Sequence, residues 1–297
     1  MSIHPRAASI ARFDTPARRR AIRHGVTLGL LVLVMASVVI EIVRGWDGDP
    51  YYYWATHLET LYQGYDISGG THAYSPAFAQ SFVPFQWLPW PVFRIVWGVI
   101  AGFVLLWLSG PVSRAWKPAF LLFGAIEIVH GNIHLLLAGA IALAARWPAA
   151  WSFVLLTKVT PGIALLWYPA RGEWRALTVA IGTTLAVIAV SALVAPDMWP
   201  RWIDTLMANR EAGGVTIAPS IPLWVRLPFA ALLVAWGARH DRPWTIAAAA
   251  LLAVPHIWLQ SFVILTAIPR LHQVLAPTAV ATTASVVEDR IEPVEAA

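Results

Sequence analysis

Cysteine is absent from the 297 residues, which excludes thiol nucleophiles, structural disulfides and Cys-ligated metals and leaves no redox compartment to read. Charge is scarce as well. Asp, Glu, Lys and Arg make up 12% of the chain, where a soluble domain carries about 25%. Apolar residues fill the difference at 58%, with a mean hydropathy of +0.63. An ordinary cytoplasmic enzyme, a secreted disulfide scaffold and a disordered chain are all excluded by this balance. What the chain has in excess is tryptophan, 17 residues, and proline, 22 residues. Many of the indoles stand beside Pro or Arg at the edges of apolar runs, where amphipathic rings settle at a membrane interface. The composition is that of a multi-span integral membrane protein.

The net charge of +5 does not point to nucleic acid. Arg6, Arg12, Arg18, Arg19, Arg20 and Arg23 are gathered before the first apolar run, and no soluble face interleaves basic residues with aromatics. Placed there, the arginines predict a cytoplasmic N-terminus. The run Val26–Val43 is longer than the apolar core of a signal peptide and no small-x-small site follows it, so it reads as an anchor. The segment after Arg44 is therefore expected outside the cell membrane. Three parts follow: a basic cytoplasmic segment (1–24), a polytopic membrane domain (25–272), and a polar, mildly acidic tail (273–297) expected to be disordered.

Beyond the anchor, Gly45–Tyr74 is a long polar stretch with Asp47, Asp49, His57, Glu59, Asp66, His72 and several tyrosines. Loops of that length are usually functional. The apolar runs that follow break at Gly, Pro or charged residues, and several fall short of the roughly 20 residues needed to cross a bilayer. A broken backbone in lipid must be satisfied by neighbouring protein or a wet cavity. The expected fold is all-α: a polytopic bundle of eight to ten membrane segments, with half-helices around an internal site and the first loop outside.

Four groups carry candidate chemistry. Asp47 and Asp49 can share a cation, or one can act as a general base; a solvated turn ended by Pro50 is the simpler account of the spacing alone. Lys158 lies inside the apolar run Leu155–Gly162, where an unpaired ammonium costs about 3 kcal/mol; it is a functional candidate unless it snorkels to an interface. Glu127, His130 and His134 share a face if Gly131 leaves the helix intact, as metal ligands or, more simply, as a hydrogen-bonded polar cluster. His256 and Gln260, four apart, suggest a polar strip facing inward.

The order of these blocks resembles glycosyltransferase family 87, the polyprenol-phosphate-sugar-dependent membrane enzymes of GT-C type. Asp49-Pro-Tyr-Tyr-Tyr53 with Gly64-Tyr65, the block Tyr74-Ser-Pro76-Ala-Phe78 through Pro84 to Leu88-Pro89, Gly131-Asn132-Ile133-His134, Lys158-Val-Thr-Pro161 and Pro255-His-Ile-Trp258 carry the resemblance. Asn132 and His134 stand where the family often has Gln and Asn. The resemblance implies a multi-pass cell-membrane hexosyltransferase with an extracytoplasmic site. It would move mannose, with inversion, from a polyprenyl-phosphate donor to a glycolipid or polysaccharide acceptor, without metal or other cofactor. Asp49, with Asp47 beside it, would be the catalytic base. Lys158, Arg201 and Arg210 would hold the donor phosphate, and Tyr53, Tyr74, Asn132, His134, His256 and Gln260 would contact substrate. The rival class is a transporter or flippase of a lipid-linked sugar, which also uses broken helices. The long outer loop and the lack of self-similarity between the halves favour chemistry over passage.

Overall fold

The computed structural model describes residues 15–45, 48–59, 61–62, 74–211 and 221–275. Asp47, Gly64, Tyr65, His72, the first 14 residues and the tail beyond 275 lie outside the described residues, and so does the Arg210 side chain. Every regular element among the described residues is helical, as expected for a helical membrane bundle. Helix α1 (Pro16–Val43) begins at the Thr15 cap and Pro16, ten residues before the apolar run, so Arg18, Arg19, Arg20 and Arg23 ride on its first turns. With α4 (Trp90–Leu108) and α9 (Trp174–Val194), it is long and apolar enough to cross a membrane.

The other helices are short, and they break together. Helix α5 (Lys117–His130) stops at Gly131, whose φ of +73° is left-handed, and α6 (His134–Ala144) resumes three residues later. Helix α7 (Trp151–Thr157) ends at Lys158, which turns extended before the 3-10 segment Thr160–Leu166 and the short α8 (Trp167–Ala170). Helix α12 (Trp244–Leu252) ends before Pro255, and a 3-10 segment, Leu259–Ala267, runs into α13 (Ile268–Leu275).

These three breaks lie at one end of the bundle, the end where α1 finishes and the short α2 (Asp49–Trp54) sits. The reversals at the other end follow α4, α6, α8 and α11 (Leu223–Arg239). There Tyr168 donates to the Ala144 carbonyl at 2.9 Å, and Arg171 bonds Asp241 at 2.5 Å and Glu173 at 2.8 Å.

Apolar side chains from α4, α6, α7, α11 and α12 fill the interior. At the broken end this core becomes aromatic: Tyr53 packs against Tyr74, Phe78 (on α3, Pro76–Gln80), Phe82 and Trp97. The amphipathic α10 (Met198–Glu211) carries Trp199 and Trp202 edge to face at the same end.

His256 and Gln260 do not share a continuous helix, as their spacing suggested. Pro255 has no N–H to donate and disfavours α geometry in the residue before it. The buried Arg226 guanidinium takes the carbonyls of Leu252, Val254 and Pro255 at 2.7–2.9 Å, which ends the helix there. A cation at a helix C-terminus is also favoured by the helix dipole.

Candidate active site

The break after α5 builds the site. Gly131 lies so close to the Pro50 ring that a methyl group there would overlap it, and the Trp97 indole donates to the Gly131 carbonyl at 2.7 Å. This contact seats the first turn of α2 on the end of α5. It brings the Asn132 side-chain amide onto Asp49 Oδ2, while Asn132 Oδ1 accepts the Ile133 N–H at 2.6 Å. Asn132 is thereby fixed in orientation, with its amide donors turned to the carboxylate.

Burial pushes the Asp49 carboxyl up to about 6, and the nearby Glu127 charge adds to the rise; Lys158, the Asn132 hydrogen bond and His130 act against it. At neutral pH Asp49 is a carboxylate with raised basicity, the condition a general base needs. Asp49, Asn132 and Lys158 are all half-buried, which leaves this face of the site partly exposed among the described residues.

Behind it lies a closed layer. His134, Glu127 and Ser261 are fully buried. Lys158 Nζ is 2.9 Å from His134 Nε2, and Ser261 Oγ is 3.2 Å from the same nitrogen. Glu127 Oε1 accepts the backbone N–H of His134 at 2.7 Å and lies 3.3 Å from its Nδ1. Three elements on either side of chain breaks, α5, α6 and the end of α7, thus meet the 3-10 segment that starts at Leu259.

Several expectations change in this arrangement. Glu127, His130 and His134 do not share one helical face, because Gly131 breaks the helix: His130 pairs with Glu41 of α1 at 2.8 Å and only His134 stays with Glu127. His134, expected at the substrate, is turned away from the open face into the core. Tyr53 is buried at 2% exposure in the aromatic core, with its hydroxyl 3.2 Å from that of Tyr74, so it anchors α2 instead of facing the site. His256 is exposed, in the turn after α12, where the charges of Lys158 and Arg226 act on it. Gln260 is half-buried beside it in sequence. Arg201 is exposed on α10, and no described hydrogen bond or ion pair joins it to Asp49 or Lys158.

Three participants escaped the sequence reading. Glu41 ties α1 to the end of α5. Arg94 donates to the Ile128 carbonyl at 3.2 Å and to that of Val129, capping the same helix end. Arg226 caps α12. Each is an ionisable residue inside an apolar helix, and that placement was the available signal.

A helical membrane bundle with a polar site assembled at helix breaks defines the class. Residues 72–287 match the sequence profile of glycosyltransferase family 87, most of the chain, and the protein belongs to that family. It is a membrane glycosyltransferase. The matched region includes Tyr74, Asn132, His134, Lys158, His256 and Gln260 and begins after Asp49 and Tyr53. No curated protein and no solved structure matches the chain.

Proposed function

We propose that the protein transfers a hexose, mannose by resemblance, from a polyprenyl-phosphate donor to a glycolipid or polysaccharide hydroxyl on the extracytoplasmic face of the cell membrane. The observation that carries the reading is that one chain break holds both groups: Asn132 bonds the carboxylate Asp49, and His134, two residues on, bonds the cation Lys158.

In this reading Asp49 takes the proton from the acceptor hydroxyl as its oxygen attacks the anomeric carbon. The glycosidic C–O bond breaks on the opposite side, and the polyprenyl phosphate leaves with the electron pair. The Lys158 ammonium compensates the charge that grows on the phosphate, a charge-assisted contact strongest as the bond breaks. One displacement inverts the anomeric centre. No metal is needed for these steps, because the base and the phosphate counter-charge both come from the chain. Tyr74, Asn132, His256 and Gln260 remain the proposed lining for the sugar, and Arg201 and Arg210 would join at the phosphate only if α10 approaches the bound donor.

Orientation follows from the charges at the two ends. The links at the end away from the site carry Arg114, Lys117, Arg146, Arg171, Arg175, Arg239 and Arg242, against Glu173 and Asp241. The arginines on the first turns of α1 belong to that end as well. The excess of positive charge supports a cytoplasmic location for it, and so an extracytoplasmic one for the site. The three long apolar helices among the described residues and the short ones would then make a multi-pass path.

The test is transfer by the purified, reconstituted protein from a polyprenyl-phosphate-linked mannose to a membrane extract, with a nucleotide-linked mannose as control. The expected result is transfer from the lipid-linked donor alone, unaffected by chelator and reduced at least a hundredfold by Asp49→Asn, in line with the usual contribution of a general base, about 10²–10⁴. If Asp47→Asn is inactive while Asp49→Asn is active, the roles of the two carboxylates are exchanged. Transfer from the nucleotide sugar alone overturns the donor assignment.

A further inference from the structure

His134 reaches the open face only through Lys158. It is fully buried, and the groups around its ring nitrogens define what it can do. An ammonium has three donors and no acceptor, so the 2.9 Å contact with Lys158 Nζ makes His134 Nε2 an acceptor. Ser261 Oγ already accepts the Trp258 N–H at 3.1 Å, which leaves its own hydrogen directed at the same Nε2 at 3.2 Å, where it shares the single lone pair with the ammonium. With Nε2 accepting, the ring proton of a neutral imidazole sits on Nδ1, which lies 3.3 Å from Glu127 Oε1 without hydrogen-bond geometry between them. That carboxylate is itself fixed by the His134 backbone N–H.

We infer that His134, whose backbone Glu127 fixes, is a positioning residue that holds the Lys158 ammonium at the open face. The inference rests on the reading of Lys158 as the donor-phosphate cation, and it replaces a direct contact of His134 with sugar. The long Lys158 side chain has many rotamers, and an ammonium tethered at one hydrogen bond keeps its remaining two donors for a phosphate. Without the tether, the ammonium must be ordered by the donor itself, at a cost in donor affinity.

Two measurements on the full-length protein in detergent or nanodiscs test this. The first is a double-mutant cycle on donor KM. His134→Leu is expected to raise donor KM about tenfold, the scale of a lost hydrogen bond to a charged group, with kcat less affected. In a Lys158→Met background the same change should add less than about twofold, because the residue through which it acts is gone. His134→Gln, which keeps an acceptor, should recover part of the loss; if His134→Leu fails to fold, the cycle is run with His134→Phe, which keeps a ring without an acceptor. Equal factors in both backgrounds overturn the proposal. The second measurement needs no donor. With ¹⁵N-labelled histidine, the His134 signal, identified by its disappearance in His134→Gln, should show a neutral ring protonated on Nδ1, and Lys158→Met should shift it. An imidazolium, a proton on Nε2, or a signal unmoved by Lys158→Met overturns the positioning role. A normal donor KM in Lys158→Met alone overturns the phosphate reading instead, and the histidine spectrum still decides the inference.

Discussion

The Asn132 side-chain amide donates to Asp49 across a gap of 83 positions in the chain, and it does so because the helix that would have carried Asn132 is cut at Gly131. Burial is the main influence on how basic Asp49 is, and this bond, like the Lys158 charge, tempers it. The bond stabilises the carboxylate and works against the rise caused by burial and by Glu127.

The pH dependence follows with a definite sign. A general base works deprotonated, so transfer should fall as pH drops through about 6, where Asp49 takes up its proton. Asn132→Leu removes a contact that favours the charged form, so the acidic limb of the kcat/KM profile should move to higher pH. A limb that stays in place, or moves down, would show that Asp49 is not the group titrating.

Lys158 is expected to separate charge from shape. Lys158→Met keeps length and apolar fit and should weaken donor binding and turnover together. Lys158→Arg keeps the charge with a different geometry and should retain part of the activity. Thermal stability without donor should be unchanged in both. A Met variant with normal turnover would make Lys158 a residue that only reaches for the interface.

Gly131 should tolerate no side chain. A left-handed residue with a Cβ costs about 1–2 kcal/mol, and here the methyl also meets the Pro50 ring. Gly131→Ala is expected to lower the melting temperature and to reduce activity further than stability alone explains, since it moves α2 and Asp49 off the end of α5. Equal stability of Gly131→Ala and wild type, measured by thermal unfolding in detergent, would contradict this packing.

Topology can be read directly because the chain has no cysteine to confuse the labelling. Glu59→Cys, exposed near the site, should react with an impermeant maleimide in intact cells. Arg242→Cys, exposed at the far end, should react only after permeabilisation. The reverse pattern would invert the protein in the membrane and remove the extracytoplasmic site.

The all-helical class, the membrane setting and the breaks in the apolar runs were legible in composition and spacing, and so were Asp49 and Lys158, because a carboxylate pair after an anchor and a lone lysine in lipid-like sequence are conspicuous. The partners were not. His134 and Lys158 are 24 positions apart, Ser261 is 127 positions from His134, and Glu41 is 89 from His130; no local period links such pairs. Tyr53 misled for a different reason. A tyrosine one turn after a catalytic candidate suggests sugar stacking, but that turn of α2 faces the bundle and its ring fills the core. The left-handed Gly131 decided the rest: it converted a plausible i, i+3, i+7 face into two separate pairs, one on each side of the break.

The shortness of the broken helices bears on how the protein is made. Helices α6 and α12, of 11 and 9 residues, cannot span a bilayer alone at about 1.5 Å per residue, and the carbonyls of Leu252, Val254 and Pro255 at and after the end of α12 are taken by Arg226, which arrives with the preceding helix. Such segments cannot be inserted one at a time as finished spans. They enter as hairpins with their neighbours, and their ends are satisfied only when early and late parts of the chain have met. Biogenesis and assembly of the site are therefore one event, so a truncation that removes the last helices should leave the earlier short segments as substrates for quality control instead of a smaller, partly active enzyme.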